Sequence, residues 1–179
     1  MRTRKINEEV LVAEDGVVSV GKRDIESLKG ASEFNLRKRI RLCAHSDVND
    51  PLHEMLIVHR KDTYVRPHMH LNKSESFHVI EGSVDVVLFD EEGRVAEVIP
   101  MGDYESGREF YYRISGPYYH TLLITSDFLV FHETTSGPFN RKDTIFAPWS
   151  PEETDQTAVN KFVRELSQRV KQQVKHGDL

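Results

Sequence analysis

At 179 residues, with 38% hydrophobic and 30% charged side chains, the chain can bury one core of common size and has little room for a second. Its 24 Lys and Arg against 29 Asp and Glu leave a formal charge of −5, which argues against a dedicated nucleic-acid binder. The single cysteine, Cys43, excludes an internal disulfide, an iron–sulfur cluster and a multi-cysteine zinc site.

The segment from Met1 to Lys5 is basic, but no apolar run follows it as a signal peptide requires. No stretch approaches the ~20 apolar residues that cross a bilayer. The expectation is a soluble, cytoplasmic protein without a membrane span.

Residues 1–50 read as an N-terminal extension. Val10 to Ala13 and Val17 to Val20 flank Asp15-Gly16, a hairpin signal. A short helix is predicted from Asp24 to about Phe34, carrying Ile25, Leu28 and Phe34. The basic run from Arg37 to Arg41 lacks interleaved aromatics and reads as a solvated face at the helix end rather than an anion patch.

Residues 51–149 change style. Short apolar alternations predict strands over 53–59, 77–81, 84–89, 95–99, 110–114, 120–124 and 128–133, separated by turn signals such as Glu81-Gly82 and Gly116-Pro117. The expected class is an all-β core, a sandwich or closed barrel. Residues 150–179 predict an amphipathic helix with Ser150 as N-cap, Pro151 in its first turn, and a stripe of Val159, Phe162, Val163, Leu166, Val170 and Val174. That stripe is expected to pack on the barrel or on a second subunit.

Nine histidines are the unusual feature of the composition. In an extended segment side chains two apart share a face, so His68 and His70 project together. A four-residue loop returns Glu75 to them, and His120, opening the apolar run Leu122-Leu123-Ile124, is the best candidate for a fourth ligand. Imidazole nitrogens with one carboxylate suit one divalent transition metal, be it zinc, iron, manganese, nickel or cobalt, with positions left open for substrate.

Around this group, Arg66 shares the parity of His68 and is a candidate substrate clamp, its alternative being a surface salt bridge. One of Tyr111 and Tyr112 is expected to face the cavity, to touch substrate or to complete the barrel wall. Alternation places only one of His132 and Glu133 inside; His132 is a candidate for substrate contact and Glu133 for support of an imidazole. His78 is expected to alternate outward, with a supporting role as its other reading. His53 and His59 are expected to point outward or to be hydrogen-bonded, and Cys43 to be a small buried hydrophobe.

His68, His70, Glu75 and Gly82 stand at the spacings of the first cupin motif, G-x5-H-x-H-x3,4-E-x6-G, and His120 at the histidine of the second. Asp62 replaces the opening glycine and Ile124 the closing asparagine. The chain thus resembles the cupin superfamily, which implies a double-stranded β-helix, a jelly-roll barrel. A closer resemblance lies in Leu42-Cys43-Ala44-His45, His53-Glu54-Met55, Arg66-Pro67-His68-Met69-His70, Lys73-Ser74-Glu75-Ser76-Phe77-His78, the run from Phe131 to Phe139, and Ala147-Pro148-Trp149. These are similar to the WbuC family, cupin-fold metalloproteins associated with bacterial O-antigen gene clusters.

The resemblance implies a metal site and a homodimer. The leading functional expectation is a metalloenzyme (isomerase, hydrolase or dioxygenase) acting on a small sugar or sugar nucleotide in surface-polysaccharide assembly. A non-catalytic metal- or glycan-binding module and a metal-independent sugar-nucleotide epimerase are the alternatives.

Overall fold

The apolar alternation in the middle of the chain becomes two β-sheets in the computed structural model, which describes residues 1–176. One sheet runs β1 (Thr3–Asn7), β2 (Val10–Ala13), β3 (Arg39–Cys43), β4 (Leu52–Arg60), β11 (Phe128–Ser136), β6 (Glu75–Glu81) and β9 (Tyr111–Ile114). The other runs β12 (Thr144–Phe146), β5 (His68–His70), β10 (Tyr119–Ile124), β7 (Ser83–Phe89) and β8 (Val95–Gly102). Every ladder is antiparallel except that of β2 with β3. Strands β4 to β11 therefore pair as 4-11-6-9 facing 5-10-7-8, the order of a two-Greek-key jelly roll, the fold of cupins. Among the described residues no ladder joins the sheets into a hydrogen-bonded barrel.

Alternation decides what lies between the sheets. Glu75, Phe77 and Val79 of β6 are buried while His78 and Ile80 are exposed. Phe77 and Val79 join Leu129 and Phe131 of β11 against Val84 and Val86 of β7 and Leu122 and Ile124 of β10. The Phe77 and Phe131 rings stack at 4.2 Å, anchoring the centre. Gly82, at φ +90°, turns β6 into β7 where a Cβ would collide with the Phe128 carbonyl oxygen.

Each outer face is covered by a helix. Ile25 and Leu28 of α1 (Lys22–Phe34) sit on Ile40, Leu42, Val58 and Val130. Leu166 and Val170 of α2 (Gln156–His176) sit on Val87 and Phe89, with Trp149 and Phe162 alongside. Leu166, Val170 and Phe162 of the α2 stripe thus pack on the chain's own five-stranded sheet, while Val174 is exposed.

Three local expectations are corrected. The N-terminal hairpin joins β1 to β2 through Glu8-Glu9, and Val17 to Val20 form no strand. Asp15 instead accepts from the backbone N and Nε of Arg2, at 2.7 and 2.9 Å. From Arg39 on, the basic run is strand β3, not a helix end: Ile40 and Leu42 are buried under α1. Arg37, in the turn before the strand, and Arg39, its first residue, pair with Glu9 and Glu153. Finally, α2 starts at Gln156 with Asp155 capping the Ala158 N–H at 3.0 Å, because Ser150 is engaged by Ala147 and Arg66.

Candidate metal centre

Strand β5 is only three residues long, and both of its edges are paired. His68 lies opposite His120 of β10 on one side and Phe146 of β12 on the other, while His70 lies opposite Thr144. Directly opposed side chains on one face stand about 5 Å apart, so this register alone gathers three imidazoles. Ring centroids are 4.6 Å apart for His68–His120, 4.9 Å for His68–His70 and 5.8 Å for His70–His120. One ligand nitrogen from each lies within 4.8 Å of the others.

Asn72, in the left-handed region at φ 57°, reverses the chain after β5 and sends it into the opposite sheet as β6. Glu75, the first residue of β6, then faces the imidazoles: Oε2 is 3.3 Å from His70 Nε2 and Oε1 is 3.7 Å from His120 Nε2. Tyr112 donates its hydroxyl to Glu75 Oε1 at 3.3 Å.

The far side of each ring is tied. His68 Nδ1 donates to the Arg66 carbonyl at 2.8 Å and His120 Nδ1 to the Tyr118 carbonyl at 3.0 Å; His70 Nδ1 meets Thr144 Oγ1 at 3.2 Å. A carbonyl only accepts, so His68 and His120 carry their proton on Nδ1 and turn an Nε2 lone pair inward. Ligands about 2.1 Å from one ion stand roughly 3–4 Å apart, so this donor set closes on a metal with sub-ångström shifts.

Charge states agree with that chemistry. Burial, with the neighbouring His120 and His70, pushes the His68 pKa down to about 3, which keeps the ring neutral. Burial alone would raise the Glu75 carboxyl, but the His70 hydrogen bond and the three imidazoles outweigh it and hold it at about 2. Burial first, and then the Glu75 charge, push Glu133 up to about 8. Burial and the same carboxylate raise the Tyr112 phenol well above its ordinary value, so it remains a donor.

The other sequence candidates are dispersed. The Arg66 side chain leaves the cavity: it pairs with Glu152 at 2.6 Å, donates to Ser150 Oγ at 3.0 Å and lies 4.7 Å over the Phe146 ring. Its backbone carbonyl, not its guanidinium, serves the site. Tyr112 faces inward and Tyr111 is exposed. His132 sits on the outer face of β11, opposite exposed His78 and 3.7 Å from Glu54, so neither histidine supports the centre. Glu133 shares the inward parity of Leu129 and Phe131.

His53 and His59 are also corrected, because they share the parity of buried Met55 and Ile57. Both are buried, and among the described residues His53 Nε2 and His59 Nδ1 have no hydrogen-bond partner. Thr144 and the Tyr118 carbonyl went unnoticed in the sequence: β12 is too short to show alternation.

These groups set the acid stability of the metal-free protein. Burial, then Arg37 and Arg41, lower His59 to about 3, as burial does His68, while unfolded imidazoles bind protons below about 6.5. Their stabilisation is full above about 6.5 and is lost as pH falls toward 3. Glu133 acts in the opposite sense between its ordinary 4.5 and about 8, where only the folded chain keeps that proton. Below about 4.5 this opposition ends, and Glu75 adds its own loss toward 2. The urea midpoint in chelator is therefore expected to fall gently from pH 6.5 to 4.5 and steeply below; a flat profile contradicts these assignments.

The family described as a domain of unknown function (DUF6016) matches residues 20–101, a span that includes His68, His70 and Glu75 but not His120. No curated protein matches the chain. Protein SO0799 from Shewanella oneidensis is similar in structure, with TM-score 0.54 and 12% identity over 75% of this chain and 87% of that one. A recombinant oxalate oxidase in complex with glycolate has TM-score 0.49 and 11% identity, over 64% of this chain and 58% of that one. The capsular polysaccharide assembling protein CapF from Staphylococcus aureus has TM-score 0.47 and 18% identity, over 60% of this chain and 31% of that one. At these identities the likeness concerns the fold. Among the described residues no helix is long and apolar enough to cross a membrane.

Proposed function

We propose that this chain is a WbuC-like cupin metalloprotein that holds one divalent transition metal at His68, His70, Glu75 and His120 and acts on a small sugar-derived ligand of surface-polysaccharide assembly. The observation that carries the reading is the orientation of the rings. His68 and His120 present inward nitrogens fixed by carbonyls behind them, and Glu75 meets His70 and His120 from the facing sheet. The motif resemblance around His68 and Phe131 supports the ligand class.

When bound, the metal polarises a ligand oxygen or lowers the pKa of a bound water. The chain's own contribution is orientation. Arg66 and Tyr118 carbonyls set the imidazole tautomers, and Tyr112 holds one Glu75 oxygen so that the carboxylate presents a fixed edge. The apolar interior beside Glu75 includes Phe77, two residues along β6, and Ile114, directly opposite it on β9. We place the protein in the cytoplasm as a homodimer; Phe34 and Leu36, 91% and 95% exposed, are apolar surface that a second copy would cover.

The test is incubation of zinc-, manganese- and iron-loaded protein with sugars, sugar phosphates and sugar nucleotides, read by mass spectrometry. A product that appears only with metal supports the metalloenzyme. Ligand retained unchanged with every metal favours a binding module, and full turnover in chelator or in Glu75→Ala favours a metal-independent epimerase.

A further inference from the structure

The inner face of the seven-stranded sheet carries a second carboxyl that the metal centre leaves unused. Strand register places Cys43, Met55, Glu133, Phe77 and Tyr112 in one row across β3, β4, β11, β6 and β9. The next row contains His53, Thr135, Glu75 and Ile114. Glu133 is therefore the diagonal neighbour of Glu75 on the same face, about 7–8 Å away between strand positions by sheet geometry, within reach of long side chains.

Its setting is unlike that of a structural carboxylate. The residues directly beside it, Met55 and Phe77, are buried and apolar. Among the described residues no hydrogen bond reaches its carboxyl, although the residue keeps partial exposure. A charge enclosed without a partner is costly unless it is neutralised or met by a ligand. The groups that face it are Glu75 from β6, Tyr112 from β9 and Arg41 and Cys43 from β3. Across the interior stand His68, His70 and His120. Tyr112 is already committed to Glu75, and the Arg66 guanidinium is tied to Glu152, so neither is free to exchange a proton with a ligand.

Resting on the metal-centre reading, we infer that Glu133 is the general base of this site: it touches the bound ligand, takes a proton from a ligand O–H and later gives it back. In the forward step the ligand O–H bond breaks, its electron pair stays on the ligand oxygen, and the Glu133 carboxylate gains the proton. The reverse step restores the carboxylate. Nothing is oxidised or reduced. In the metal-free protein burial and the Glu75 charge keep this group protonated near neutral pH against the pull of Arg41; a cation held by Glu75 would offset that charge and release the proton.

The experiment is titration of the metal-free protein with zinc, by calorimetry at about pH 7 in buffers of different ionisation enthalpy, which counts the protons released. Wild type is expected to release roughly one proton more than Glu133→Gln, with zinc affinity changed by less than about tenfold. At about pH 9.5, above the titration of Glu133, the two counts are expected to coincide. Glu133→Leu, which matches the apolar neighbours Met55 and Phe77, guards against a folding defect and is expected to give the Gln count. Equal counts in wild type and both variants, with zinc bound, overturn the role of Glu133 and leave the metal centre standing. Failure of zinc to bind wild type overturns the metal centre and the inference that rests on it.

Discussion

Alanine at His68 or His120 is expected to lower zinc occupancy from about one ion per chain to less than a tenth while the protein stays folded. Both residues are held by ladder pairing of their own backbone, His68 with His120 and Phe146, and His120 also with Leu88. Truncation leaves that register intact and removes only the imidazole. Loss of a partner behind a ligand commonly costs about 10–100-fold in metal affinity, and loss of a ligand costs more. Thr144→Val, which strips His70 Nδ1 of its hydroxyl, is expected to fall within that 10–100-fold band, giving a graded series. Elemental analysis and competition with a coloured chelator read both. Wild-type occupancy in His68→Ala would remove the basis for the centre.

Phe77→Ala is expected to destabilise the fold by about 3–5 kcal/mol, lowering the thermal midpoint by roughly 6–20 °C. Phe77 is 1% exposed, stacks on Phe131 at 4.2 Å and lies 5.4 Å from the Tyr112 ring. It follows Glu75 by two residues on the same face, so the cavity left behind lies next to the proposed ligand and loosens it. A combined loss of stability and metal affinity is the expected result, read by urea unfolding and zinc titration. A cost below about 1 kcal/mol would mean that the interior collapses around the missing ring, contrary to the tight aromatic contacts.

The elements that were legible from residues alone are those whose signal is periodic and local. The spacing of His68 and His70 has period two, the strand period, and both rings do share a face. The stripe of α2 recurs at three and four residues, and Val159, Leu166 and Val170 of it are buried, with Phe162 and Val163 half-buried and Val174 exposed. Less local features were opaque. Strand β1 is exposed along its whole length and carries no alternation, so the nearer Asp15-Gly16 signal drew the hairpin to the wrong turn. Ile40 and Leu42 do alternate, but the arginines between them look like a solvated face until α1 is seen on the other side.

Direction was harder to read than parity. His53 and His59 were assigned to one face correctly, yet that face is the inner one because Met55 and Ile57 belong to it. Which of Tyr111 and Tyr112 turns inward depends on the pairing of Phe77 with Tyr112, a register between segments more than thirty residues apart. Arg66 has the parity of His68, but Glu152 and Ser150 pull its side chain to the connection before α2. The Nδ1 partners of the three histidines are two backbone carbonyls and one threonine, groups without a sequence signature.

The most direct test of the central claim is an anomalous difference map from zinc-loaded crystals, with data collected at the zinc edge. A single strong peak is expected per chain, about 2.0–2.2 Å from the inward nitrogens of His68, His70 and His120 and from one Glu75 oxygen. No peak among these four side chains at saturating zinc, or a peak only elsewhere on the molecule, would contradict the account.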